Sequence, residues 1–408
     1  MKYIALLGFG NVCRGVAALL KENKDTIKKT VGDDVSIKYI LKRSPLNGEY
    51  EKYYTDSIDT IINDGNISCV CEAIGGAKDA YIYTKKLLSA GISVATSNKE
   101  LVSVHGVELM EIARKNSAEY LIEATVGSGL PIIKPMRDCF SGETVTGVSG
   151  ILNGTTNFIL TKMLSEGASF DEALSEAQRL GYAEADPGDD IEGRDAARKI
   201  AILSAMAFGE LPSPDGIYTE GISHVTSKDV ADAAKLGGTV KLIARAYKED
   251  GKLFVFVTPR IVPKTQIIAN VDGVYNGICV TANGCGDITF CGAGAGSYSA
   301  GGGMISDVCD ILSGKRNDPP KWKNAASTAA PDEIKDAFMI RFKKKCGDND
   351  FGEKEKALAE KALGCRFFGE HSALTDVMTG AELKKAFAGL EAYGIIPESV
   401  IRADATHS

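Results

Sequence analysis

The sequence lacks the features that mark membrane, metal-binding and nucleic-acid-binding proteins. It has one Trp and four His, and no C-x-x-C pair occurs among its ten Cys. The longest stretch without a charged residue, residues 288–306, consists mainly of Gly, Ala and Ser and is too weakly apolar to span a bilayer. Because the net charge is −7 and no dense Lys/Arg block occurs, we expect neither nucleic acid nor a membrane as a partner.

The composition supports several buried cores. The 408 residues are 44% hydrophobic and 25% charged, which suits two or three domains of roughly 100–200 residues each. Cysteines without metal-ligand spacing are typical of small buried hydrophobes in a reducing compartment. The chain opens directly on a predicted strand, MKYIALLG, without the pattern of a signal peptide, so we expect a cytoplasmic protein.

The first 130 residues alternate between short apolar runs and helical periods. Continuous apolar runs are typical of strands that are buried on both faces of a parallel sheet. This alternation predicts right-handed crossovers and a Rossmann-type, doubly wound α/β domain over residues 1–130. The predicted strands are residues 3–7, 35–41, 69–74, 92–96 and 120–122.

The rest of the chain predicts two further domains. Residues 131–300 predict an α+β catalytic and dimerisation domain, whose sheet could cover a second copy in a homodimer or homotetramer. A helix at 301–313 is expected to return to the first domain, and the polar stretch 314–332 predicts a linker. Residues 333–408 have the βαββαβ order of a ferredoxin-like domain.

A glycine-rich segment follows the first predicted strand. It reads Gly8-Phe9-Gly10-Asn11-Val12, and its first glycine would allow a tight turn while the second would let a pyrophosphate approach the backbone. Cys13 occupies the third glycine position of G-x-G-x-x-G, and Gly15 follows two residues later. The segment predicts a dinucleotide site, with a plain strand-to-helix turn as the alternative.

The end of the second predicted strand bears on the choice between NAD and NADP. A carboxylate there would accept hydrogen bonds from the ribose 2′-OH, but the strand runs into Lys42, Arg43 and Ser44. Two cations suit a 2′-phosphate, so NADP(H) is favoured and NAD(H) remains open. The alternative is a solvated basic loop.

The densest polar cluster is residues 181–199, GYAEADPGDDIEGRDAARK. Asp195 and Lys199 stand four residues apart, on one face of a predicted helix that continues as a nearly uninterrupted apolar run. A charged pair at the start of a buried helix indicates either a cleft or a structural ion pair, and the spacing does not decide between them.

Several segments resemble the homoserine dehydrogenase family. The most specific is AQRLGYAEADPGDDIEGRDAARK at 177–199. The others are GFGNV, ATSNKEL at 95–101, the stretch 123–157 from EATVGSGLPI to GILNGTTN, and the glycine run 292–296. Together they cover about residues 1–315. The resemblance implies NAD(P)H-dependent, reversible reduction of L-aspartate 4-semialdehyde to L-homoserine, in threonine, methionine and isoleucine biosynthesis.

The resemblance also implies roles for individual residues. Lys199 matches the general acid, Asp195 would orient it and contact the substrate, and Glu184 matches a residue that binds the substrate amino group. Asp190 would belong to the same substrate site, and Lys99 matches a second lysine between nicotinamide and substrate. Hydride addition to an aldehyde produces an alkoxide that needs a proton donor and nearby positive charge, and lysines meet both needs. Which of the two lysines delivers the proton stays open.

Two further sets of residues follow from the same resemblance. Gly75, Ser97 and Gly296 would contact the cofactor together with the glycine-rich turn and Lys99. A monovalent cation, Na⁺ or K⁺, would be bound by Glu123 and the backbone carbonyls of Val126, Ser128 and Leu130. The alternative for this second set is a tight, glycine-containing hinge.

The C-terminal βαββαβ segment resembles an ACT-type regulatory module. Residues 394–402, GIIPESVIR, match the way such modules end. Ligand-binding versions usually carry an Asp, Pro, Gly turn after the first strand, and residues 343–350 stand in that place without a proline. Threonine as an effector and a purely structural role therefore both stay open.

Two other functions compete with this enzyme. One is a catalytically inactive NADPH sensor with a ligand-binding tail, against which the presence of both lysines argues. The other is a different semialdehyde or amino-acid dehydrogenase that uses a thioester, for which Cys139 is the main candidate nucleophile.

Overall fold

The computed structural model describes residues 1–294, 296–315, 319–345 and 351–404. The helices of these segments are α1 Asn11–Glu22, α2 Lys24–Val31, α3 Ile58–Ile62, α4 Lys78–Ser89, α5 Lys99–Lys115, α6 Ile133–Asp138, α7 Gly154–Glu166, α8 Phe170–Arg179, α9 Gly188–Ile191, α10 Arg194–Phe208, α11 Ser227–Lys235, α12 Ser297–Ser313, α13 Glu353–Leu363 and α14 Gly380–Glu391.

The strands are distributed along the same segments. They are β1 Lys2–Leu7, β2 Val35–Leu41, β3 Tyr54–Thr55, β4 Ile67–Glu72, β5 Val94–Thr96, β6 Tyr120–Leu121, β7 Val145–Ile151, β8 Glu210–Leu211, β9 Tyr218–Thr219, β10 Gly238–Glu249, β11 Lys252–Pro263, β12 Tyr275–Ala282, β13 Gly286–Ala293, β14 Lys323–Asn324, β15 Lys335–Lys344, β16 Cys365–Phe367, β17 Ser372–Thr375, β18 Met378–Thr379 and β19 Ile395–Ala403.

The chain forms two compact units. The first contains Met1–Leu152, Ala197–Gly216 and the described part of Asn276–Ala326. The second contains Asn153–Ala196, Ile217–Tyr275 and the described residues from Ser327 onward. The predicted domain boundaries at 130, 300 and 332 remain predictions. Arg316, Asn317 and Asp318 of the predicted linker lie outside the described residues.

The first unit is built on a six-stranded parallel sheet. Its order is β3-β2-β1-β4-β5-β6, so the chain changes direction beside β1. The predicted Rossmann-type sheet is therefore confirmed, and the five predicted strands agree with the observed bounds to within two residues. Helix α12 contributes Met304, Ile305 and Val308 to the same core as Ile4 and Leu6. The carboxyl ends of β1, β4 and β5 form the edge where ligands bind in such folds.

The first unit also holds β7, β12 and β13, in the order β13-β12-β7. Strand β7, VTGVSGI, is antiparallel to β12 and was not predicted, because its two Gly and its Ser interrupt the apolar pattern. A Cβ at Gly150 would lie 2.6 Å from the Gly277 carbonyl oxygen, so a glycine is needed where the two strands meet.

The second unit combines a long hairpin with the C-terminal module. Strands β10 and β11 pair in antiparallel register from Gly238↔Pro263 to Glu249↔Lys252, and β11 also pairs in parallel with β19. The module has the strand order β19-β15-β17-β16 with α13 and α14 as its helices, which is the predicted βαββαβ arrangement. Residues 346–350 of its first turn lie outside the described residues.

Candidate active site

The turn between β1 and α1 has the backbone geometry of a phosphate site. Gly8 has φ +83°, and a Cβ on it would lie 2.9 Å from the Ala73 carbonyl oxygen. A Cβ on Gly10 would meet nothing within 4 Å, so the surface above this residue is open. Helix α1 begins at Asn11 with Gly10 as its N-cap, and the first N–H groups of a helix have no acceptor within the helix. The turn therefore fits the pyrophosphate of a dinucleotide.

The irregular third position of the glycine motif has a packing explanation. The Cys13 side chain is fully buried, and burial raises the pKa of its thiol well above the usual range. A Cβ on Gly15 would lie 2.0 Å from the Ser297 carbonyl oxygen, so α1 and α12 can approach each other only at a glycine. Gly15 is therefore needed where α1 meets α12, while Cys13 fills a buried position at the start of α1.

The basic residues after β2 differ in their surroundings. Lys42 is partly buried, and its N–H donates to the Thr55 carbonyl oxygen. The Arg43 side chain is 91% exposed and pairs with Asp79 on the first turn of α4. An exposed pair of this kind contributes little stability, so Arg43 can exchange it for a phosphate.

Two loops at the ends of β4 and β5 carry the other predicted cofactor residues of this edge. Gly75 is exposed and open to solvent. The Ser97 N–H donates to the Glu72 carbonyl oxygen at 3.2 Å. Lys99 is the first residue of α5, directly after the N-cap Asn98, whose side chain accepts from the Leu101 N–H. The sheet thus presents Lys99 at the start of a helix, beside the loop that follows β4.

Lys199 is buried in the first unit. Its side chain is 8% exposed, and its Nζ donates to the Leu152 carbonyl oxygen at 2.7 Å. The Asn276 amide donates more weakly to the same carbonyl oxygen, at 3.4 Å. Asn276 is fully buried, and its Oδ1 has no hydrogen-bond partner within the described residues. The Leu152 carbonyl oxygen therefore fixes the position of the Lys199 ammonium group.

The acidic residues are organised in the second unit by Asn153. Its Nδ2 donates to Asp190 Oδ1 at 2.7 Å and to Asp195 Oδ2 at 2.9 Å. The Thr155 hydroxyl oxygen lies 3.0 Å from Asp190 Oδ2 and 2.8 Å from the Tyr182 carbonyl oxygen. Asn153 is held in turn as the N-cap of α7, where its Oδ1 accepts from the Thr156 N–H. The structure therefore brings two of the predicted acidic residues together.

Helix α10 carries both Asp195 and Lys199. Asp195 lies in its first turn and is 4% exposed. Lys199 follows four residues later on the same face, so their spacing along the helix is as predicted. Glu184 lies in the preceding loop with an exposed side chain, and its carbonyl oxygen accepts from the Gln178 amide at 3.1 Å.

The loop that was predicted to bind a monovalent cation is strongly curved. Gly127 has φ +70° and Ser128 has φ +59°. The Glu123 carboxylate accepts from the N–H groups of residues 132, 133 and 134, at 2.7, 3.1 and 2.7 Å. Burial nevertheless raises the pKa of Glu123 above its ordinary value. Gly296 is the N-cap of α12 and has φ +126°, a conformation that favours glycine.

Sequence reasoning missed the residues that hold the predicted ones in place. Asn153 lies in GILNGTTN, just before a helix, and this position indicates an N-cap. Nothing in the sequence indicated that its side chain would also donate to two carboxylates. Asn276 has no local pattern, because only the fold brings it to Leu152. Glu72 ends a buried strand, and an acid in an apolar run was the one available signal.

The described segments contain neither a membrane-spanning helix nor a cluster of metal ligands. None of their helices is long and apolar enough to cross a bilayer. Within the same segments, no three His, Cys, Asp or Glu side chains are grouped as they would be to hold a metal ion.

A Rossmann-type sheet, an open glycine turn and a buried lysine define a dinucleotide-dependent oxidoreductase. Family models agree with this class. Residues 8–123 match the model "Homoserine dehydrogenase, NAD binding domain", and residues 131–309 match "Homoserine dehydrogenase".

Individual relatives extend the match to the whole chain. The chain is 32% identical to a homoserine dehydrogenase of Neisseria gonorrhoeae, over 99% of both chains. It is 38% identical to that of Lactococcus lactis, over 76% of this chain and 74% of the relative. Among solved structures, a homoserine dehydrogenase from Thiobacillus denitrificans has a TM-score of 0.89 at 31% identity, covering 99% and 98% of the two chains.

The chain belongs to the homoserine dehydrogenase family. Its reaction is the NAD(P)-dependent interconversion of L-aspartate 4-semialdehyde and L-homoserine. The comparisons give no support to the inactive-sensor alternative. One further structural relative, a hyperthermophilic archaeal homoserine dehydrogenase in complex with NADPH, has a TM-score of 0.67 at 29% identity over 78% of this chain and 100% of that chain.

Proposed function

We propose that this enzyme uses NADPH in preference to NADH and that Lys199 is the general acid of the reduction. The observation that carries the acid assignment is a buried ammonium, 8% exposed, that donates to a neutral carbonyl oxygen at 2.7 Å. The cofactor assignment is supported by Lys42 and Arg43, which follow β2 where an NAD enzyme would have an acid. The archaeal relative in complex with NADPH supports the same choice.

The reduction needs one hydride and one proton. A bound NADPH supplies the hydride to the aldehyde carbon. The Lys199 ammonium group stabilises the negative charge that develops on the aldehyde oxygen. It then donates a proton to this oxygen. Asp195, one helical turn earlier, orients the ammonium and contacts the substrate, and its own position is fixed by the 2.9 Å bond from Asn153.

Binding of the substrate falls to the acidic residues of the second unit. Glu184 and Asp190 bind the amino group of aspartate semialdehyde, which is positively charged at neutral pH. Asp190 accepts from Asn153 and Thr155, at 2.7 and 3.0 Å, and these bonds fix the direction of its carboxylate. Exposure of Glu184 leaves its carboxylate accessible to an incoming ligand.

The nicotinamide side of the site is assigned to the ends of β4, β5 and the start of α12. Gly75, Ser97 and Gly296 contact the cofactor through their backbones, as do the residues of the turn from Gly8 through Phe9, Gly10 and Asn11 to Val12. Lys99 lies between cofactor and substrate at the start of α5. Its charge attracts the carbonyl oxygen of the substrate and polarises the bond that is reduced.

Further assignments concern assembly and regulation. We assign the enzyme to the cytoplasm, as a homodimer or homotetramer in threonine, methionine and isoleucine biosynthesis. The C-terminal module acts as an ACT-like domain with threonine as its effector. Na⁺ or K⁺ binds the loop formed by Glu123, Val126, Ser128 and Leu130, whose curvature at positions 127 and 128 supports converging carbonyl groups.

One assay tests the central assignments. Oxidation of the cofactor is followed with aspartate 4-semialdehyde, using NADPH and NADH in parallel, with and without threonine and in Na⁺, K⁺ or a bulky organic cation. A lower KM for NADPH is expected, and a strong preference for NADH would reverse the cofactor assignment. Turnover that threonine does not change would remove the regulatory role of the module and leave the enzyme assignment intact.

A further inference from the structure

Glu72 is a fully buried carboxylate at the carboxyl end of β4. Its Oε1 accepts from the Ile74 N–H at 2.7 Å, and its Oε2 accepts from the Thr96 hydroxyl at 2.5 Å. One donor belongs to the loop after β4 and the other to the end of β5, so each oxygen binds a different loop. The backbone carbonyl oxygen of Glu72 adds a third bond, from the Ser97 N–H at 3.2 Å.

Asn98 completes the connection between the two loops. Its Nδ2 donates to the carbonyl oxygens of Ile74 and Gly76, each at 2.9 Å. Its own N–H donates to the Thr96 hydroxyl oxygen at 2.9 Å, so that hydroxyl accepts one bond and donates the other to Glu72. The loops joined in this way carry Gly75, Ser97 and Lys99, which are three residues of the proposed nicotinamide side.

Burial of a carboxylate at this position costs free energy that packing alone does not explain. Burial raises the pKa of Glu72 to about 7, because the charged form has lost its water. Among the described residues, the titratable groups that interact with the Glu72 carboxylate are the Cys13 thiol of α1 and the Tyr120 phenol of β6, and neither is positively charged. Further along β4, Asp307 of α12 faces Cys69 and Cys71. A neutral side chain would avoid this cost of desolvation, but it would not offer two oxygens that both accept hydrogen bonds, as Glu72 does.

We propose that Glu72 is a positioning residue of the reaction, which in its ionised form ties the loop after β4 to the loop after β5 and so fixes Ser97 and Lys99 for turnover. This inference rests on the proposed role of Lys99. Oε1 accepts the Ile74 N–H, so a proton added to Glu72 goes to Oε2, which then donates to the Thr96 hydroxyl oxygen instead of accepting from that hydroxyl. The bond between the loops is therefore remade whenever the carboxyl group gains a proton.

The test compares Glu72→Gln with the wild-type enzyme across the pH range from 6 to 9. Wild-type turnover of aspartate semialdehyde with NADPH is measured first, and its absence would refute the proposed function rather than this inference. At pH 8.5 we expect kcat of the variant to be at least tenfold lower than that of the wild type. Near pH 6 the two values should converge, because both side chains are then neutral.

Two further variants separate positioning from stability. Val70→Ala removes a fully buried side chain from the same strand, and should lower Tm while leaving the pH profile of kcat unchanged. Thr96→Val should reproduce the high-pH loss, Thr96→Ser should restore most of the activity, and this pair carries the test if Glu72→Gln does not fold. An equal loss for Glu72→Gln at every pH, or no loss at any pH, would overturn the proposal.

Discussion

Lys199 is the residue whose removal tests the chemistry most directly. Lys199→Ala is expected to lower kcat by roughly 10²–10⁴-fold, the range in which a general acid contributes. Binding of NADPH should be unchanged, since the glycine turn and the residues after β2 stay intact. Lys199→Arg should also fail, because a guanidinium holds its protons too tightly to act as an acid. Steady-state kinetics and a fluorescence titration with NADPH measure both quantities, and near-wild-type turnover of either variant would remove Lys199 from the mechanism.

Asn153 matters because a single amide donates to two carboxylates. Asn153→Ala removes one donor from each of Asp190 and Asp195, so both carboxylates are held less firmly in direction. Because Asp190 and Asp195 then face the substrate less accurately, KM for aspartate semialdehyde should rise about tenfold, which is equivalent to the loss of one charged hydrogen bond. Asn270→Ala is the matched control, since that amide only donates to the carbonyl oxygens of Lys264 and Gln266 in an exposed loop. Equal KM values for both variants would show that Asn153 has no part in substrate binding.

At the scale of elements, the contact between α1 and α12 depends on glycines from both helices. A Cβ on Gly301 would lie 2.8 Å from the Gly15 carbonyl carbon, whereas a Cβ on Gly302 would meet nothing within 4 Å. We therefore expect Gly301→Ala to destabilise the protein by about 1–3 kcal/mol through overpacking. Gly302→Ala should stabilise it by about 0.5–1 kcal/mol, because alanine favours a helix. Thermal unfolding of the two variants compares them, and a Tm lowered equally in both would refute the steric explanation.

The elements predicted from sequence were those whose pattern is local. The strands β1 and β2 are continuous or alternating apolar runs, and their predicted ends at Leu7 and Leu41 are the observed ends. Strand β7 and helix α11 were missed: the first is interrupted by glycines, and the second, SKDVADAAK, is short and mostly polar. Propensity is a weak guide where burial against distant strands decides the structure.

In the candidate site too, the features that could be predicted are those within one local motif. Residues within one motif, such as Asp195 and Lys199, could be placed on one helix face from their spacing alone. The partners that hold them come from distant parts of the chain: Leu152 lies 47 residues before Lys199, and Asn153 lies 42 residues before Asp195. No periodic pattern records such contacts, because they exist only once the fold has formed.

At the scale of the whole molecule, the C-terminal module is built into the second unit rather than appended to it. Arg260 of β11 is 1% exposed and pairs with Asp336 of β15 and Asp404, which follows β19. Arg402 of β19 shares Asp336 at 2.8 Å. Removing one partner from a buried pair leaves an uncompensated charge. The residues beyond the dehydrogenase motifs therefore supply both carboxylates that pair with the buried Arg260.

The buried acids of the first unit determine how stability depends on pH. Burial raises the pKa of Asp307 to about 8, despite Lys134 3.8 Å away. Between pH 4 and 8 the folded protein therefore holds a proton that the unfolded chain has released. The free energy of unfolding must fall as pH rises through this window, by at most about 1.4 kcal/mol per unit for each such group. Burial raises the pKa of Glu72 as well, and its effect has the same sign.

Asp307→Asn tests this prediction at neutral and alkaline pH. The amide oxygen can still accept the Glu123 N–H, which now donates to Asp307 at 2.9 Å, while the titration is lost. The variant should therefore match the wild type near pH 4 and exceed it progressively toward pH 8, by at most about 1.4 kcal/mol for each pH unit. Asp310→Asn is the control, since it breaks a 2.9 Å pair with Lys134 and should cost a similar amount at both pH values. Urea unfolding midpoints at constant ionic strength measure all three proteins, and parallel curves for Asp307→Asn and wild type would show that Asp307 is ionised in the folded state.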